Sequence, residues 1–249
     1  TWMDTIVMGF FVSATLIGIY EIAWTMASTL AVVSVAINQT LFPKVSELDA
    51  DDEHGEVRHL LNEGLVFAGM FVIPGLFGAL IIGEQILEIY DPAYGRGATI
   101  LVFLILARLT NAYSGQFINI INAIDHPDAA FRINAVFVAA NLMLNLALIP
   151  IFGWIGAATA TAFSSVIALG LSYYVVDDIL NGINVPFVEI GAEVAASLGM
   201  SAVVLWLEGA VPMNRFTTVG IVFFAAIIYT STLLALSRRI RTKVGRVIK

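Results

Sequence analysis

Apolar stretches recur along the chain at lengths close to one bilayer crossing. The pattern predicts a shortened first span over about 1–16 and complete spans near 21–43, 59–82, 97–123, 131–151, 154–176, 190–208 and 216–236. Each complete span holds roughly 20 mostly apolar residues, enough to cross about 30 Å of hydrocarbon. Turn-forming stretches separate them: "GEQILEIYDPAYG" (83–95), "DHPD" (125–128), "PIFGWIG" (150–156) and "NGINVP" (181–186). No connection is long enough to fold as a domain of its own, so the expected class is an all-α polytopic membrane protein.

Composition agrees. The chain is 59% hydrophobic and 12% charged, where a soluble domain carries about 25% charged residues. It begins Thr1-Trp2-Met3-Asp4, without an initiator methionine or a basic flank ahead of a short apolar core. The expectation is the later part of a longer chain, with no signal peptide. Cysteine is absent, which excludes disulfides, iron–sulfur clusters and thiolate zinc.

The net charge is −7. Acids concentrate in "ELDADDEHGE" (47–56), which reads as a solvated surface, and the acidic, lysine-poor balance suits a high-salt environment. Orientation follows lysine and arginine in the short loops. Alternate connections and the tail "SRRIRTKVGRVIK" hold nine basic residues, Lys44, Arg58 and Arg132 among them, while the opposite side holds Arg96 and Arg215. The C-terminus and the acidic loop are therefore expected in the cytoplasm, with the basic tail an orientation anchor near anionic headgroups. The tryptophans at 2, 24, 154 and 206 and most tyrosines fall near span ends, as an interfacial belt would place them.

Polar residues inside the spans carry the candidate chemistry. At about 100° per residue, Arg108, Asn111, Gly115, Asn119 and Asn122 fall within roughly 60° of one another on one helix face. Asn134, Asn141 and Asn145 share a face of the next span. Such faces cannot look at lipid and must meet protein or a wet cavity. Buried asparagines commonly bond across helices for about 0.6 kcal/mol, up to roughly 1.7. A central arginine costs more, about 2.5–3.5 kcal/mol on insertion scales. Two readings of Arg108 stay open: a structural pair with an acid or backbone carbonyls, or a bidentate fork for an anionic ligand, phosphate best of all.

Four acids lie in or near spans. Asp4 sits where it can pair with Arg108 or bind a coupling ion. Glu21, near the outer mouth, shares a face with Thr25 and Ser28 and is a second ion-coupling candidate. Glu63 and Glu193 lie close to span ends and read as interfacial.

Other motifs fail. "DADDEHG" (49–55) has His54 where a calcium loop needs glycine, and Leu60 stands where its glutamate belongs. The histidines lack zinc spacing. Gly156, Ala160 and Ser164 follow a small-xxx-small rule that lets helices approach closely. No enzyme, metal site, cofactor site or nucleic-acid surface is read here.

The stretch "NLMLNLALIPIFGWIGAATATAFSS" (141–165) resembles the signature N-xxx-N-xx-LIP-xx-G-xx-GAA-x-AT of the polysaccharide transport family, lipid-linked oligosaccharide flippases of the MATE-like exporter superfamily. "IGIYEIA" (17–23), "LFPKVSEL" (41–48) and "IYDPAYGRGATIL" (89–101) resemble further pieces in the same order. The resemblance implies two pseudo-symmetric six-helix lobes. Residues 1–176 would be the second lobe, helices seven to twelve, and 177–249 a two-helix hairpin with a basic cytoplasmic tail. The first lobe would lie outside this sequence.

The implied activity is alternating-access flipping of a polyprenyl-(pyro)phosphate-linked glycan from the inner to the outer leaflet of the cell membrane. Arg108 would hold phosphate, and Asn111, Asn119, Asn122, Asn141 and Asn145 sugar hydroxyls. Implied partners are the lipid-linked glycan, membrane lipids, the facing lobe, and a glycan polymerase or glycosyltransferases. A cation-coupled multidrug exporter is the alternative, kept open by Asp4 and Glu21. A membrane glycan polymerase or ligase is disfavoured by the short outer loops.

Overall fold

A computed structural model describes the backbone of residues 2–50 and 54–247. Among them the regular elements are helical: α1 (Trp2–Phe11), α2 (Ala14–Leu30), α3 (Val32–Ala50), α4 (His54–Ala68), α5 (Val72–Glu88), α6 (Ala98–Ala123), α7 (Pro127–Phe152), α8 (Trp154–Ile179), α9 (Phe187–Ala210), α10 (Arg215–Leu236) and α11 (Arg238–Val247), with a 3-10 turn over Pro92–Gly97. Six spans among the described residues are long and apolar enough to cross a membrane, and the bent pair α2–α3 makes a seventh. The protein is an all-α, multi-pass membrane protein.

The helices form two compact units, residues 1–72 with 99–185 and residues 73–98 with 186–249. Most of α5 and the 3-10 turn thus group with the hairpin, and residues 177–185 group with the first unit. Within the second unit Gln85 Nε2 of α5 donates to Glu208 Oε1 of α9 at 3.0 Å. In the first unit, the Pro43 stretch that reads as the exit of a helix is followed by one that stays helical to Ala50.

α7 and α8 make the most extensive helix pair of the first unit. They meet through Gly153, whose φ of +58° and ψ of −136° lie where a side chain would strain the turn. Gly156, Ala160 and Ser164 are all buried, and a Cβ on Gly156 would come within 2.6 Å of the Leu148 carbonyl carbon. Close backbone approach is thus what the small residues provide.

Where α2 meets α3 the helix axis bends by 47° with no proline at the break. Hydroxyls account for the weakness there. Ser28 Oγ donates to the Trp24 carbonyl at 2.6 Å and Thr29 Oγ1 to the Thr25 carbonyl at 2.9 Å, back-bonding that bends helices.

One end of this unit is closed by an apolar cluster of Val45, Val57, Leu61, Ile121, Val176 and neighbours. Asn62 and Arg58 tie α4 to the segment after α8, donating to the Asn184 and Leu180 carbonyls at 2.7 and 3.1 Å.

In the second unit α9 packs on α10, while Phe187, Val188, Leu205, Trp206, Phe216 and Phe223 remain exposed, a face suited to lipid. Asn214 caps α10 with a capping box: its side chain accepts from Thr217 N, and Thr217 Oγ1 accepts from Asn214 N. Glu193 is a correction to the interfacial reading. It is fully buried, and neither carboxylate oxygen has a hydrogen-bond partner among the described residues. It opens a buried stripe, Glu193–Ser197–Ser201, at spacings of four on α9.

Candidate functional site

A cavity of about 210 Å³ opens in the first unit between α2, α6, α7 and α8, lined by Trp24, Arg108, Asn111, Ser114, Asn134 and Thr161 among others. Arg108 is held from one side. Its guanidinium carbon stacks 3.9 Å from the centroid of the Trp24 ring, and Nη2 donates to Ser28 Oγ at 2.6 Å. Its Nε is buried without an acceptor among the described residues. The cation is thus fixed by an aromatic face and a hydroxyl, neither of which neutralises it.

Asn111 and Gly115 join Arg108 in the cavity, as the helix face predicts, with Ser114 beside them. The same face does not stay in the cavity over its whole length. Asn119 Nδ2 donates to the Asn38 carbonyl at 3.0 Å and stitches α6 to α3. Asn122 is exposed at the helix end. On α7 the outcome inverts. Asn134 lines the cavity, while Asn141 and Asn145 are buried below it.

Those two asparagines belong to a second constellation built on Asp4, whose side chain is fully buried. Asp4 Oδ1 accepts from Asn145 Nδ2 at 2.7 Å. Asp4 Oδ2 accepts from Tyr20 Oη and Thr161 Oγ1, each at 3.0 Å. Asn141 Nδ2 reaches Thr161 Oγ1 at 3.3 Å and Ser164 Oγ at 3.2 Å, and Asn145 Nδ2 also reaches Asn141 Oδ1 at 3.0 Å. Asn145 Oδ1 is buried and receives no donor among the described residues. The result is a buried carboxyl group ringed by donors from Tyr20, Asn145 and Thr161.

The option that Asp4 pairs with Arg108 is not what the structure shows, because Arg108 bonds Ser28 and stacks on Trp24 instead. Glu21 stands apart from Asp4: it is exposed and accepts a bond from the Thr5 hydroxyl. Tyr20, Trp24 and Thr161 went unread as site residues. The first two fit an interfacial belt, and Thr161 lay inside a small-residue helix. The signal for the first two was spacing, since Tyr20, Trp24 and Ser28 recur every four residues.

This arrangement can be compared with known proteins. Residues 3–231 match the family described as lipid II flippase MurJ. The chain belongs to the MurJ family. The match agrees with the flippase resemblance of the sequence.

A probable flippase of Haloferax volcanii, AglR, is 35% identical over 252 residues, covering 100% of this chain and 53% of that protein. The probable low-salt glycan biosynthesis flippase Agl15 of the same organism is 27% identical over 233 residues, covering 93% and 49%. The solved structure of lipid II flippase MurJ in an inward closed conformation superposes with a TM-score of 0.77 at 18% identity, over 96% of this chain and 50% of that one. It shows the MurJ fold. The chain spans about half the length of these relatives.

Proposed function

We propose that this chain is the second lobe of a MATE-like flippase that moves a polyprenyl-(pyro)phosphate-linked oligosaccharide from the inner to the outer leaflet by alternating access. The observation that supports this most directly is the Arg108 cavity: a guanidinium that among the described residues has no carboxylate partner and an unmatched Nε, beside the amides of Asn111 and Asn134. A phosphate accepts what Arg108 has left to donate, and carboxamides suit sugar hydroxyls. At about 210 Å³ the cavity is below the roughly 300 Å³ where drug-sized pockets begin. It suits a headgroup fragment, with a facing lobe completing the site. The likeness to Agl15, a probable low-salt glycan biosynthesis flippase, agrees with a glycan cargo. A cationic drug would meet an unneutralised cation at Arg108, which weakens the multidrug alternative.

Asp4 is the ion-coupling residue of this proposal. A buried carboxylate with the orphan amide oxygen of Asn145 beside it suits a monovalent cation. The test is reconstitution. Full-length protein in liposomes should flip a fluorescent polyprenyl-phosphate-linked sugar, and residues 1–249 alone should not. Flipping by 1–249 alone would refute the two-lobe reading.

The proposed orientation in the plasma membrane puts the C-terminal helix and the acidic loop in the cytoplasm. Exposed positions test it, and Gly95 and Ser237 do not qualify, the first crowded by Glu84 and Glu88 and the second buried. Ala93, Ser46 and Thr242 are exposed instead. In intact cells an impermeant thiol reagent should label Ala93→Cys and spare Ser46→Cys and Thr242→Cys. The reverse pattern inverts the topology.

A further inference from the structure

One face of α2 touches both polar constellations. Tyr20, Trp24 and Ser28 stand one turn apart, which aligns them along the helix. Tyr20 is fully buried and donates to Asp4 Oδ2 at 3.0 Å. One turn on, Trp24 lies 3.9 Å from the Arg108 guanidinium. One turn further, Ser28 Oγ accepts from Arg108 Nη2 at 2.6 Å and donates a hydrogen bond to the Trp24 carbonyl at 2.6 Å. The stripe spans about 12 Å at 1.5 Å per residue, and the 47° bend follows it immediately. A second tie runs in parallel: Thr161 bonds Asp4 and lines the Arg108 cavity.

We infer that the Tyr20–Trp24–Ser28 stripe is a positioning element that couples a monovalent cation at Asp4 to an anionic headgroup at Arg108, each changing the affinity for the other. The inference rests on the proposed roles of Asp4 and Arg108 and adds the residues that join them. Its physical basis is competition for lone pairs. A cation on Asp4 draws on the same carboxylate oxygens that Tyr20 and Thr161 bond. Losing the Tyr20 bond removes a tie that holds α2 against Asp4 of α1, and any shift of α2 that follows carries Trp24 and Ser28 with it. The guanidinium, clamped on exactly those two side chains, shifts against the cavity. Reciprocity is then required by linkage.

Full-length protein and farnesyl phosphate as the probe allow a direct test. Binding is measured in sodium chloride and in choline chloride at equal ionic strength. The native chain should bind with a sodium-to-choline affinity ratio different from one, by about 5- to 150-fold as allosteric couplings run. Tyr20→Phe, which removes one hydroxyl, should bring the ratio close to one while leaving binding in choline within about threefold. Trp24→Leu should also bring the ratio close to one while weakening binding in both salts, since Trp24 lines the cavity and holds Arg108, and Trp24→Phe, which keeps an aromatic face, should restore much of the ratio.

An unchanged ratio in both Tyr20→Phe and Trp24→Leu overturns the coupling role of the stripe, as does a ratio of one in the native chain. Undiminished binding by Arg108→Ala overturns the ligand reading beneath it instead, so the two failures are told apart.

Discussion

Arg108→Ala, placed in the full-length protein, is expected to abolish most flipping while leaving membrane abundance near normal. Both halves of that expectation come from its partners. The side chain bonds the Ser28 hydroxyl and stacks on Trp24, so truncation strands no acid. A charge-assisted hydrogen bond contributes about 1.5–3 kcal/mol, and its loss should weaken headgroup binding by roughly 10- to 150-fold. Lipid-linked glycan should then accumulate on the inner leaflet. Arg108→Lys should recover part of the flux, because it restores charge without the planar fork.

Two further variants separate the cavity from the scaffold. Asn111→Ala removes one uncharged contact and should cost about 0.5–1.5 kcal/mol of binding. Asn119→Ala should leave binding intact and lower stability, since its amide serves the Asn38 carbonyl. The readout is abundance alongside inner-leaflet glycan for all four variants. Normal flux in Arg108→Ala would sink the phosphate assignment. Rescue of Arg108→Ala by a second change at Asp4 would mean the two residues form a pair after all.

The sequence made the spans legible because hydropathy over a bilayer's length is a strong signal. It also exposed Arg108, since an unaccompanied arginine in an apolar run demands an explanation. A helical wheel could not say how far a cavity extends along the helix. Arg108 and Asn111 share it, whereas Asn119 and Asn122, on the same face, meet α3 and solvent. The asparagines of α7 failed in the opposite sense. Their face is continuous, but α1 and α8 cover Asn141 and Asn145 and leave Asn134 open.

Glu193 was misjudged for a similar reason. Distance from the end of a span measures depth along the helix, and burial depends on which neighbour the face meets. The small serines at one-turn spacing after it were the available clue. The α2–α3 bend was not legible either, because serine and threonine bend helices only when their hydroxyls turn back on the backbone.

Asp4 should respond differently from Arg108, because its environment is built to receive a charge. Asp4→Ala removes the acceptor of Tyr20, Asn145 and Thr161 together. Breaking a buried charged constellation in this way costs about 3–5 kcal/mol, a large share of the 5–15 kcal/mol that holds a typical domain folded. Low abundance is therefore the expected phenotype, and it says little about ions.

The informative variant is Asp4→Asn, which nearly preserves shape. Its amide can still accept through one oxygen, but its nitrogen cannot accept from the donors aimed at the other, and the negative charge is gone. Abundance should stay within reach of the native protein, while stabilisation by sodium and flipping should both disappear. Thermal unfolding in sodium chloride and in choline chloride is the measurement that decides. A native-sized sodium shift in Asp4→Asn would mean that the ion binds elsewhere, and the unpartnered carboxylate of Glu193 on α9 would be the next position to substitute.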